Sequence, residues 1–262
     1  MPTPEHAVSS SPAVRELLPH VHEVTWHAPG EPPASLRGRH HRSYLLDFPD
    51  DVPTLVDTSM PAQADRLLAG IEQVGVEPER LLITHRHLDH VGGIDAVVDR
   101  YDPTVWYPAE EEITSRDVVA TPPDHEFTHE ESIGRFTAVH VPGHTPGNYA
   151  FVDEAAGVAV FGDTMVGSDR RGFRPGRLVH PPASPGDGHD VEISAGLVRL
   201  LDYEFDVALL SHGVSVFEDA SAKLYRYLWD DLRYLDVEPR VTYADDAFPV
   251  PPDRTDWECG PD

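Results

Sequence analysis

Cysteine is almost absent. The single Cys259 lies in the tail "DWECGPD", so no internal disulfide can staple the fold and no cysteine cluster can hold a metal. Lysine is as scarce: Lys223 is the only lysine among 20 basic residues, the other 19 being arginine. No apolar run approaches the ~18 residues that a membrane-spanning helix needs. The opening "MPTPEHAVSSSPAVRELLPH" has neither a basic start nor an apolar stretch, which argues against a secretory leader and for a cytoplasmic protein. Positive charge is short overall, with 46 acidic residues against 20 basic ones and a net charge of −26. Binding a phosphate backbone requires a basic face, so nucleic acid is excluded as the default partner.

What is present is a globular composition, 40% hydrophobic over 262 residues, enough for one large or two small domains. Residues 1–19 read as a flexible leader, 20–236 as one catalytic-sized domain and 237–262 as an acidic, proline-rich tail. Strands are expected at "HVHEVTWHA" (20–28), "RSYLLDF" (42–48), "TLVDTS" (54–59), "RLLIT" (80–84) and "TVWYP" (104–108). Between them, "AQADRLLAGIEQVGV" (62–76) and "IDAVVDRY" (94–101) carry apolar residues at helical spacing. The second half repeats the pattern. Strands are expected at 135–141, 148–153, 157–163 and 206–211, with helices at 191–203 and 221–235 and an irregular segment over 168–189. Alternation of strand and helix predicts an α/β class.

The chemistry concentrates in "LLITHRHLDHVGG" (81–93), where His85, His87, Asp89 and His90 follow an apolar run. Imidazole nitrogens and carboxylate oxygens suit zinc and other borderline divalent cations. In an extended backbone residues i and i+2 face the same way, so His85 and His87 can grip one ion. Asp89 and His90 follow as the chain turns, and can face a second. Gly92 and Gly93 are expected to permit a tight turn beneath the site. Further polar residues recur at strand exits: Asp57 in "VDTS", His144 in "VPGHTPGN", Asp163 in "FGDT" and His212 in "LLSHG". Strand exits are where α/β sheets place ligands.

Taken in order, "VDT", "THRHLDH", "PGHTPGN", "FGDT" and "LSHG" resemble the metallo-β-lactamase fold hydrolases, over residues ~42–235. That resemblance implies a four-layered αβ/βα sandwich with metals at one edge between two sheets. It implies that His85, His87 and His144 bind a first metal, that Asp89, His90 and His212 bind a second, and that Asp163 bridges them. It places Asp57 behind the ligands as an orienting group, since ligating histidines need a hydrogen-bond partner. The cofactors implied are two divalent ions, zinc first, with iron or manganese as substitutes. A metal-bridging hydroxide would be the nucleophile, with Asp89 and Asp163 as the catalytic carboxylates.

The resemblance narrows to glyoxalase II-like or lactonase-like members acting on a small ester, thioester or lactone. The sequence departs from many relatives at Ser211, where glycine is frequent, and at Asn148, where histidine or serine is common. About 50 residues follow His212, fewer than the helical substrate domain of glyoxalase II. A mononuclear-iron persulfide dioxygenase and a phosphodiesterase are the alternatives on the same fold.

Two segments oppose the acidic background. "LRGRHHR" (36–42) and "DRRGFRPGRLVH" (169–180) together hold seven of the 19 arginines. Arg39, Arg174, Arg177 and His180 are therefore candidate substrate contacts, and the substrate is expected to be a small anion. His40, His41 and His180 sit in these segments and their roles stay open. The remaining histidines outside the motifs read as surface or satisfied core residues. The oligomeric state is not legible, a homodimer being compatible.

The acidic, lysine-poor composition resembles that of proteins from salt-in halophiles. At 1 M salt the Debye length falls to about 3 Å, so self-repulsion of such a surface is screened. Thermal unfolding in 0.05 M and 2 M KCl should therefore show a rising midpoint with salt; a flat midpoint would remove the halophilic reading.

Overall fold

The structure, a computed structural model, describes residues 13–26, 41–114, 118–168, 176–181 and 190–235. Its larger sheet has seven strands in sequence order: β1 (Ala13–Leu18), β2 (Val21–Trp26), β3 (His41–Leu46), β4 (Thr54–Val56), β5 (Arg80–Leu82), β6 (Thr104–Pro108) and β7 (His125–Phe127). Pairing is antiparallel from β1 to β4 and parallel from β4 to β7. The first two parallel steps are made by helical crossovers, α1 (Ala64–Val74) between β4 and β5, then α2 (Leu88–Val91) and α3 (Ile94–Tyr101) between β5 and β6.

The second sheet contains β8 (Ser132–Ile133), β9 (Phe136–His140), β10 (Tyr149–Asp153) and β11 (Val158–Val160). A two-stranded ribbon follows, β12 (Val166–Gly167) with β13 (Leu178–Val179), and then α4 (Asp190–Leu197), β14 (Val207–Leu209) and α5 (Ala220–Leu235). In space the order is β14-β11-β10-β9-β8, with β11 and β14 parallel.

Period-two alternation builds the layers. Tyr44, Leu46, Val56 and Leu82 from one sheet meet Tyr149, Phe151, Val158, Val160 and Leu209 from the other, forming the core between the sheets. The residues between them in sequence face outward. Leu45, Leu55, Leu81 and Ile83 pack on Leu67 and Ile71 of α1 and Ile94 and Val97 of α3. Ala150, Val152, Ala159 and Phe161 pack on Ile193 and Leu197 of α4 and Leu224 and Leu228 of α5. The result is helix, sheet, sheet, helix, as expected. Strands buried on both faces read as nearly unbroken apolar runs, which is why "YLL", "RLLI" and "VAV" stand out in the sequence.

The differences have local causes. Residues 13–18, assigned to a loose leader, form β1, held to β2 by register from Ala13–Thr25 to Leu18–Val21 and by Arg15 Nη2 at 2.7 Å from Glu23 Oε1. The short β7 and β8 lie in a polar stretch without apolar alternation. The ribbon β12–β13 falls partly in the segment read as irregular. The expected helix 191–203 breaks after Leu197 into a 3-10 turn, Val198–Asp202. The tail 237–262 and the leader's first twelve residues lie outside the described residues.

Arg42, backed by Glu23 of the same sheet, joins the sheets at the edge where the functional residues gather. Glu23 is 2% and Arg42 7% exposed. Arg42 Nε lies 3.0 Å from Glu23 Oε2, its guanidinium donates to Gly213 O, and its backbone N–H donates to Ser211 O at 3.1 Å. Tyr44 reaches across as well, its hydroxyl donating to Leu210 O at 2.7 Å. Removing one partner of a buried pair strands the other charge, a loss of about 3–5 kcal/mol. Glu23→Ala should therefore lower unfolding free energy by that order in urea titration; an unchanged midpoint would show that the pair is not holding the sheets.

Candidate metal centre

The functional side chains leave the sheets at strand ends. Just past β5, residues 83–87 run on without regular structure, with His87 extended at φ −66° and ψ 147° before the single turn of α2. His85 Nε2 and His87 Nδ1 lie 3.1 Å apart. The His144 ring, from the turn after β9, sits 5.0 Å from that of His85 and 4.6 Å from that of His87. Asp163, just past β11, brings Oδ2 to 3.2 Å from His144 Nε2. These four residues each offer a ligand atom within 4.8 Å of the others.

A second group shares Asp163. His212 Nε2, just past β14, is 3.1 Å from Asp163 Oδ1 and 3.3 Å from Asp89 Oδ2. His90 Nε2 is 3.6 Å from Asp163 Oδ1 and 3.8 Å from Asp89 Oδ2. Asp163 thus turns one oxygen toward each group. Ligand atoms of a tetrahedral zinc at 2.0–2.1 Å stand about 3.4 Å apart, the spacing found between these atoms. Moreover, His90 Nε2, His144 Nε2 and Asp163 Oδ1 are buried without an aligned hydrogen bond. Buried polar atoms that crowd together yet point into shared space instead of bonding one another fit divalent cations.

Asp57 organises the histidines from behind. Its Oδ2 accepts from Thr84 Oγ1 at 2.8 Å and lies 2.7 Å from His90 Nδ1. Thr84 Oγ1, having donated its proton to Asp57, can accept from His85 Nδ1 at 3.0 Å. Both imidazoles then carry their proton on Nδ1 and keep a lone pair on Nε2 for a cation. Close packing enforces the arrangement. A Cβ on Gly162, at φ +51°, would meet Thr84 Oγ1 at 2.5 Å. Gly92 and Gly93 form the expected turn between α2 and α3, but with φ values of −68° and −99°, in range of any residue. Their constraint is proximity, since added Cβ atoms would meet Pro61 at 2.3 Å and Ser59 Oγ at 2.9 Å.

Electrostatics divides the groups. Burial pushes His85 well below its ordinary pKa, and neighbouring histidines add to this. Burial, with His144 and His90, likewise pushes His87 down to about 4. His90 behaves oppositely: burial opposes its charge, but Asp57, Asp89 and Asp163 outweigh it and raise the pKa to about 10. For His212 burial is likewise overcome by Asp163 and Asp89, giving about 9. Against the opposing effect of burial, His212 and His90 hold Asp163 well below the carboxylate range. Without cations, protonated His90 and His212 supply the positive charge that the carboxylates need.

The substrate candidates fare unevenly. Arg39 and Arg174 lie outside the described residues. Arg177 is tied to the centre through backbone: Ser168 N–H donates to Arg177 O at 3.0 Å, and Gly167 N–H donates to His212 O at 2.9 Å. His180 Nε2 lies 3.1 Å from Ser194 Oγ on α4, and His180 is absent from both ligand groups. Asn148 is structural, its amide donating to Val141 O and Thr164 Oγ1 at 3.2 and 2.8 Å.

Several contributors were not legible. Glu111, 7% exposed, accepts from Thr145 Oγ1 and from Gly147 N–H at 3.1 Å, fixing the turn that carries His144. Its other oxygen lies 3.3 Å from Arg86 Nε, between His85 and His87 in sequence. In the sequence it is one of three consecutive glutamates, with nothing to set it apart. His41 forms a further group with Asp89 and His212, its Nδ1 3.1 Å from Asp89 Oδ2.

Known proteins resemble this chain. A hydroxyacylglutathione hydrolase, GloC, of Haemophilus influenzae is 28% identical over 172 residues, 58% of this chain and 76% of that protein. Another hydroxyacylglutathione hydrolase, of Chromohalobacter salexigens, is 36% identical over 124 residues, 47% of this chain and 48% of its own length. An uncharacterized Bacillus subtilis protein, YobT, is 28% identical over 47% of this chain and 60% of its own. The chain thus spans about half or little more of most of these relatives. Among solved structures, a metallo-beta-lactamase from Erythrobacter litoralis matches with a TM-score of 0.64 at 15% identity, covering 84% of this chain and 97% of that one. The sequence profile of the metallo-beta-lactamase superfamily matches residues 36–212. With its strand-end histidines and aspartates in that span, the chain belongs to the metallo-beta-lactamase superfamily.

Proposed function

We propose that this protein is a binuclear metal-dependent hydrolase acting on a small anionic thioester, ester or lactone. The observation that carries the reading is Asp163, whose two oxygens face separate ligand groups at 3.2 and 3.1 Å. When bound, divalent cations would supply Lewis acidity toward a carbonyl oxygen and bring the pKa of a water toward neutrality. His85, His87 and His144 would hold one cation, and Asp89, His90 and His212 the other. Asp163 would fix their spacing. Asp89, with a side chain 23% exposed, is the more open carboxylate and can pass a proton to solvent. The ribbon bearing Arg177 lies against the His212 loop, which supports an anionic acyl group as substrate. Relatives named hydroxyacylglutathione hydrolase support a glutathione thioester among the first substrates to try.

The test is hydrolysis of S-lactoylglutathione, an acyl lactone and bis-p-nitrophenyl phosphate by protein loaded with zinc, manganese or iron. The thioester or lactone should turn over, and Asp163→Ala should reduce kcat/KM at least 100-fold. Turnover of the phosphodiester alone, or of no substrate with any of the metals, would overturn the reading.

Cation uptake should also release protons. A group whose pKa is raised to about 10 or 9 is protonated at pH 7 and must lose that proton to become a ligand. Calorimetric titration of cation-free protein in buffers of different ionisation enthalpy should show two or more protons leaving on filling the second group, and affinity there rising with pH from 6 to 9. Heats independent of the buffer would contradict the assignment of His90 and His212.

A further inference from the structure

We infer that His41 is a positioning residue for the second cation, acting through Asp89; this rests on the proposed binuclear reading. His41 belongs to none of the motifs and opens β3, on the far side of the cleft from the "HRHLDH" segment. Its backbone forms a bridge with His212, and its ring stands edge-on to that residue, centroids 4.4 Å apart at 83°. Arg42 pins the pair, its backbone N–H on Ser211 O and its guanidinium on Gly213 O. With its backbone anchored in this way, His41 presents Nδ1 to Asp89 Oδ2 at 3.1 Å.

The need for it follows from the chemistry of its neighbours. The other nitrogens near Asp89 Oδ2 are His212 Nε2 at 3.3 Å and His90 Nε2 at 3.8 Å. Once either nitrogen turns its lone pair toward a cation it carries no proton and cannot donate to the carboxylate. His41 is not grouped with His90 and Asp163, although it does group with Asp89 and His212; with the proton on its Nδ1, it orients Asp89 instead of joining it as a ligand. Asp57 serves His90 and, through Thr84, His85; His41 would give Asp89 the same kind of support. Partners of this sort typically change metal affinity 10–100-fold when removed.

Cation-free wild type, His41→Ala and His41→Asn should be titrated with Co2+ and Zn2+ against a chromophoric chelator, with d–d spectra following each site. An asparagine amide can place N–H close to where Nδ1–H stands, but is a poor ligand for these ions. The expected result is two sites in wild type. His41→Ala should weaken the second 10–100-fold with the first unchanged, which also reports an intact fold, and His41→Asn should restore most of the loss. Equal second-site affinity in His41→Ala and wild type would overturn the inference. So would His41→Asn binding as weakly as His41→Ala, since His41 would then be a ligand itself. Wild type that takes up only one cation would instead refute the binuclear reading beneath it.

Discussion

One carboxylate governs the centre. Asp57 contacts His90 directly and reaches His85 through Thr84, so it touches one histidine of each ligand group. It can do so because its backbone adopts φ 60° immediately after β4, with its N–H on Leu82 O at 2.9 Å. Aspartate tolerates that left-handed region better than most residues. From there the side chain turns back under the β5 exit rather than continuing along the strand. Loss of Asp57 would free both imidazoles to change tautomer and would leave the raised pKa of His90 without its nearest counter-charge.

The rest of the fold brings the other candidate ligands to this point. Parallel pairing of β4 with β5 and of β11 with β14 sets Asp57, His85, Asp163 and His212 at neighbouring strand ends. The inter-sheet core around Tyr44, Tyr149 and Phe151 fixes the separation of the two sheets. At the cleft edge the link becomes polar, through Arg42, Glu23 and Tyr44. A polar link suits this position because it needs directional contacts to hold the His212 loop, which an apolar contact would not supply. Glu111 does the equivalent work for the His144 turn. The centre is therefore clamped on several sides by buried groups.

Much of this was legible in the sequence, for a physical reason. Ligands that follow apolar strands come as compact motifs, so "THRHLDH", "GHTPG", "FGDT" and "LSHG" could be aligned with a fold and assigned to groups that the structure brings together. The sandwich was legible because strands buried on both faces are apolar along their length. What stayed hidden depends on partners distant in sequence. His41 and Asp89 are 48 residues apart, and Glu111 and Thr145 are 34 apart. β1 was missed because "AVRELL" carries charges whose partner, Glu23, lies on the next strand. Gly92 and Gly93 do lie in a turn, but its φ values suit any residue, and it is crowding by Pro61 and Ser59 that calls for glycine.

The account stands or falls on whether Asp163 links two cations. The direct measurement is a crystal structure of metal-loaded protein with anomalous data collected on either side of the zinc, iron and manganese edges. It should show two peaks, one contacted by His85, His87 and His144, the other by Asp89, His90 and His212, with one Asp163 oxygen on each. A single peak, or two peaks that Asp163 does not join, would contradict it.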